Sequence, residues 1–154
     1  MDTVTYPDPA IARYISEHFI PFRAVLNDRQ YWPLFRANHI IWTPTVGFMD
    51  RNGSMHYQCV GFLPPDEFLS VLIIGLARVM MAWTRAGEAA VELKAAVERH
   101  NSFTPEALFW LGVARFLARR ETSGMWEAWE RLVLQYPHSP WARRVYPHTD
   151  GNSL

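Results

Sequence analysis

The sequence predicts a mixed α/β half over residues 1–85, an all-helical half over 86–147 and a short flexible tail at 148–154. Three observations predict it. Helix-spaced and strand-like apolar runs alternate before Arg85, an Asn52-Gly53 pair separates two runs that read as strands, and beyond Arg85 only helical periodicity is left. At 154 residues and 49 % hydrophobic content, the chain is long enough to bury a substantial core.

Asp8-Pro9 supplies a helix cap and a first-turn proline, and Ile11, Tyr14, Ile15 and Phe19 follow at helical spacing. The next run, Phe22–Leu26, is too short for a helix, lies between Pro21 and Asn27-Asp28, and reads as a buried strand. Residues 30–38 fit a short helix with Trp32, Leu34 and Phe35 as its apolar set. Extended Ile40–Trp42 follows, and Thr43, preceding Pro44, is biased away from helix. Val46–Met49 and Met55–Val60 flank Asp50-Arg51-Asn52-Gly53 and should pair antiparallel. Pro64-Pro65-Asp66-Glu67 opens a helix that continues to Trp83, apolar on so many positions that Leu72, Leu76 and Val79 should be largely buried.

Ala86–His100, Pro105–Arg119 and Met125–Tyr136 read as three further helices, with a last turn or two over Trp141–Tyr146. Gly75 with Gly112, and Ala90 with Ala128, recur at a spacing close to the ~34-residue tetratricopeptide period. The runs 107–116 and 127–137 resemble the two helices of one such unit, and a plain helical bundle explains the same pattern. Trp83, Trp110, Trp126, Trp129 and Trp141 are expected to pack helix on helix, with a partner groove as the other reading.

Lys+Arg and Asp+Glu number 15 each, so no basic field points to nucleic acid. The apolar run Phe68–Trp83 is shorter than the ~20 residues of a membrane span and contains Arg78, so no membrane partner is expected. The six histidines show no ligand spacing, and neither a metal nor another cofactor is expected. Met1 is followed by the turn-forming Tyr-Pro-Asp-Pro rather than by a basic flank and an apolar run, which makes a cytoplasmic location the expectation.

The stretch IIWTPTVGFMDRNGSMHYQCVGF at 40–62 resembles the second half of a thioredoxin domain: an apolar strand, a Thr-Pro loop, a strand ending in Asp-x-x-Gly, a second strand and a Gly-aromatic pair. Upstream, residues 1–28 resemble the helix and Phe-x-Pro strand that follow the redox motif of that family. The resemblance implies an incomplete thioredoxin-like fold of about three strands, in which the central strand and the CxxC motif have no counterpart. It also implies a cis Thr43-Pro44 bond, Thr43 as a backbone contact for an extended peptide, and Trp42 and Thr45 flanking that surface. A proline that merely shapes a tight turn is the other reading.

Thiol-disulfide exchange in that family requires a thiolate at a helix N-terminus and a second cysteine three residues on. The single cysteine, Cys59, lies late in a strand and reads as a small core residue, with a monothiol site as the alternative. The expectation is therefore a redox-inactive protein that binds a client or partner polypeptide through Trp42, Thr43, Pro44 and Thr45 and through the helical half. The alternative is an oxidoreductase whose CxxC lies upstream of Met1. Exposed edges left by the missing strand make a homodimer an expected association.

Overall fold

The computed structural model describes residues 1–145 and shows a mixed α/β protein with a two-stranded antiparallel sheet and seven α-helices. The expected end of the last helix at Tyr146, and the tail at 148–154, lie outside the described residues.

Helix α1 (Pro9–His18) starts where the Asp8 carboxylate accepts hydrogen bonds from the N–H groups of Ala10 (2.9 Å) and Ile11 (3.2 Å). It stops at Phe19, whose extended backbone leads into Ile20-Pro21, where the proline disfavours helix for its predecessor. A 3-10 turn (Arg29–Tyr31) precedes α2 (Trp32–Ala37). Strands β1 (Thr45–Met49) and β2 (Met55–Val60) form the expected hairpin, with Val46 opposite Cys59 and Phe48 opposite Tyr57. Gly53, at φ 79°, takes the left-handed turn position that a side chain would strain.

Helix α3 (Pro65–Ala82) carries both prolines and both acids at its start. Helices α4 (Ala86–Val97), α5 (Thr104–Arg119) and α6 (Ser123–Gln135) follow, each packed extensively on the one before, and the short α7 (Ala142–Val145) closes against α6.

Two apolar clusters meet along α3. Phe68, Val71 and Leu72 join Ile11, Phe48 and Leu63 on the hairpin side, whereas Ile73, Ile74, Ala77 and Met80 join Leu93, Leu108 and Leu132 on the helical side. Polar bonds reinforce the junction: the Tyr14 hydroxyl donates to Glu92 (2.9 Å) and the Thr5 hydroxyl to the Leu63 carbonyl (2.7 Å). Leu72 is buried as expected; Leu76 and Val79 are only half-buried.

The expected third strand is a correction. Residues 20–26 form no regular structure, and Ile20 (97 % exposed), Phe22, Val25 and Leu26 face solvent. Ile40–Trp42 likewise joins no sheet, and Ile41 is 90 % exposed. A strand exists only where a neighbour supplies backbone partners, and among the described residues none pairs with 20–26. Helix α2 makes extensive contacts only with the 3-10 turn before it.

Gly75 and Gly112 both sit at close approaches, in different settings. A Cβ on Gly112 would lie 2.4 Å from the Trp129 indole nitrogen, so this glycine sets how closely α5 meets α6. A Cβ on Gly75 would lie 2.4 Å from the Phe48 ring, so Gly75 serves the hairpin rather than a helix pair. The aromatics of the helical half pack on one another: Phe109 stacks on Trp129 at 5.6 Å, and Trp129 donates its indole N–H to the Phe109 carbonyl (3.1 Å).

Candidate functional site

The loop entering β1 carries the residues singled out from the sequence. The Thr43-Pro44 bond is cis, as expected. The Pro44 carbonyl accepts from the Gly61 N–H (2.8 Å), and the Thr45 hydroxyl donates to the Trp42 carbonyl (2.7 Å), so the loop is tied to β2 and closed on itself. Trp42 is 66 % exposed and Thr43 and Pro44 are also open to solvent, while Thr45 is half-buried as the first residue of β1. Ile41, Val60 and Phe62 are exposed in the flanking segments. Among the described residues the sheet has two strands, and the outer edge of β1 has no strand partner. Together these residues present an apolar surface beside an open strand edge, an arrangement suited to holding an extended chain.

Cys59 does not join that surface. It is half-buried on β2 in the same register pair as Val46, within the apolar cluster under the hairpin. Burial, aided by the Glu106 charge, pushes its thiol up, away from the thiolate that nucleophilic chemistry uses.

Two polar clusters lack any sequence signature. In the first, Asp50 at the hairpin turn accepts from His56 Nε2 (3.0 Å), Trp83 Nε1 (3.2 Å) and the N–H groups of Asn52 (2.8 Å) and Ser54 (3.0 Å). The His56 bond foremost, with the backbone and Trp83 donors, holds its carboxyl down at about 2. Arg51 lies 4.2 Å above the Trp83 ring, so the turn is pinned to the end of α3.

In the second cluster, Glu106 is only 7 % exposed, and its carboxylate accepts from the Tyr57 hydroxyl (3.1 Å) and Trp110 Nε1 (3.3 Å). Burial raises its pKa against those two donors and the nearby Arg78 and Arg144 charges. Arg78 lies over the rings of Tyr57 (5.1 Å) and Trp110 (4.5 Å) and makes no hydrogen bond or ion pair among the described residues. An arginine inside an otherwise apolar helix was the only hint in the sequence, since its companions come from β2 and α5.

Among the described residues, no group of three or more potential ligands is placed to hold a metal ion, and no helix is long and apolar enough to cross a membrane. Compared with known proteins, the chain matches no family model, no curated protein and no solved structure.

Proposed function

We propose that this chain is a non-catalytic binding protein built on an incomplete thioredoxin-like fold with a tetratricopeptide-like helical extension, and that it holds an extended segment of a partner polypeptide. The surface that does so comprises Trp42, Thr43, Pro44 and Thr45 with the open edge of β1. One observation carries the reading: exposed Ile41 and Trp42 directly precede the cis Thr43-Pro44 bond, and the strand that follows it has an edge without a partner. Covering side chains of this size contributes about 1.5–3 kcal/mol each, so two or three of them supply roughly 3–9 kcal/mol towards an association that must also offset the cost of ordering both partners. The backbone edge adds direction and register to that apolar attraction.

Redox chemistry is not part of the reading. The one thiol sits on a strand, with its pKa raised, and has no second cysteine to resolve a mixed disulfide. Insulin-disulfide reduction with dithiothreitol should proceed no faster with the protein than without it, and turnover that disappears in Cys59→Ser would overturn this part.

Binding is tested with reduced, carboxymethylated α-lactalbumin, an unfolded chain that offers extended apolar segments. Its affinity should fall at least tenfold in Ile41→Ser/Trp42→Ser, whose circular dichroism and melting temperature stay at wild-type values. Equal affinity of wild type and double variant would remove the cis-proline surface from the function.

A further inference from the structure

The second edge of the hairpin opens into a cleft that meets the cis-proline surface only at Val60. Its volume is about 590 Å³, and it runs along all of β2, from Met55 to Val60, with Arg78, Phe103, Glu106 and Trp141 as its opposite wall. Antiparallel pairing alternates between pairs that exchange hydrogen bonds and pairs that do not. The Gly61 N–H bond to the Pro44 carbonyl sets the phase, so Tyr57 and Cys59 turn their backbone groups toward β1. Gln58 and Val60 turn theirs outward, along the cleft, where no strand of the described residues meets them.

Charge on the opposite wall is unbalanced. Glu106 spends both carboxylate oxygens on Tyr57 and Trp110, and it faces two guanidinium groups, Arg78 and Arg144. Arg144 stacks 4.1 Å over Trp141, and Arg78 is held over Tyr57 and Trp110. Neither guanidinium makes a hydrogen bond or ion pair among the described residues. Burial lowers the Arg78 pKa, and the nearby Glu106 charge offsets that only in part. Contact with two rings holds the guanidinium in place, and among the described residues its five N–H donors have no partner, the condition for bidentate capture of a carboxylate.

We infer that this cleft is a peptide-binding site, in which an extended acidic segment adds as a strand to β2 and delivers an Asp or Glu carboxylate to Arg78. The backbone of Gln58 and Val60 supplies strand pairing, Phe103 and Trp141 supply apolar walls, and Arg78 with Arg144 selects for negative charge. The site stands apart from the cis-proline surface, since β1 and β2 expose opposite edges of the same two-stranded sheet.

The probe is a phage-displayed library of random nonapeptides selected on the full chain, followed by synthesis of the enriched sequences. An Asp or Glu among β-branched residues should be enriched. Replacing that acid by its amide, or Arg78 by glutamine, should weaken binding at least tenfold, with Arg78→Lys intermediate and Arg144→Gln milder. Because Arg78→Gln also removes a packed side chain, the peptide backbone provides a second measurement on the unaltered protein. N-methylation at alternate peptide residues should abolish binding, and at the intervening residues should leave it within twofold. Failure to enrich any acidic sequence, methylation effects without the two-residue period, or binding that survives Arg78→Gln and is lost in Trp42→Ser would each overturn the assignment.

Discussion

Gly75→Ala examines the contact through which α3 carries the hairpin. In an isolated helix the change is favourable by up to about 1 kcal/mol, because glycine loses more backbone freedom than alanine on ordering. Here the new Cβ would lie 2.4 Å from Cγ and Cδ1 of Phe48 and 2.6 Å from Cδ2. Ordinary carbon contacts begin near 3.5 Å, so ring and helix must separate by about 1 Å. The ring has little room to yield: Phe48 is buried, stacks on Tyr57 at 5.8 Å and meets Phe19 edge-on at 5.6 Å. Overpacking of this kind costs about 1–3 kcal/mol, which exceeds the helix gain.

The net expectation is a loss of up to about 2 kcal/mol, or roughly up to 4–8 °C for a chain of this length. Phe48→Ala removes the obstructing atoms, at a cost of about 3–5 kcal/mol, and in that background Gly75→Ala should turn stabilising. Urea unfolding followed by circular dichroism, with trimethylamine oxide in all samples to keep the weakest variant folded, reads the four proteins of the cycle. Gly75→Ala with the same sign in both backgrounds would refute the close approach of α3 to β1.

Asp50 ties folding to pH. A carboxyl held down at about 2 contributes stability that is complete above its unfolded value near 3.9 and is lost as pH falls toward 2, so the urea midpoint should drop between roughly pH 5 and 2. Asp50→Asn should start lower at pH 7 and decline less over that interval; parallel curves would mean that the His56 and Trp83 bonds carry no linkage. Arg120 ends α5 with φ 59°, and its N–H bonds to the Phe116 carbonyl (2.7 Å). Arg120→Gly keeps that bond, removes the left-handed strain of a side chain and should raise the melting temperature by about 2–4 °C, for a gain of about 1 kcal/mol; a decrease would show that the side chain does more than cap.

What could be read from the sequence was what neighbours in the chain decide. Asp8-Pro9, Asn52-Gly53 and Pro64-Pro65-Asp66-Glu67 each set a boundary through hydrogen bonds or dihedral limits within a few residues, and the structure has those boundaries. Phe22–Leu26 carries equally strand-like side chains and forms no strand, because its backbone depends on a partner from elsewhere. The Arg78 cluster was illegible for a related reason. Tyr57, Arg78, Glu106 and Trp110 come from β2, α3 and α5, and their meeting is a product of how α3 and α5 stack beneath the hairpin.

The same dependence on a missing neighbour links the apolar exposure of residues 20–42 to the open edges of the hairpin. Ile20, Phe22, Val25, Leu26, Ile41 and Trp42 make up the densest run of exposed large apolar residues among the described ones, and α2 beside them makes extensive contacts only with its own leading turn. A surface of scattered apolar residues needs no explanation, but this group is confined to one stretch of sequence adjoining an unpaired strand. Such a stretch gains most from an added strand, since one segment would supply backbone partners to the edge of β1 and apolar cover to the side chains at once. The two edges of the hairpin then differ in kind. The β1 edge is flanked by exposed uncharged apolar residues, whereas the cleft beside β2 is lined by Arg78 and Glu106, with Arg144 acting on Glu106 from nearby.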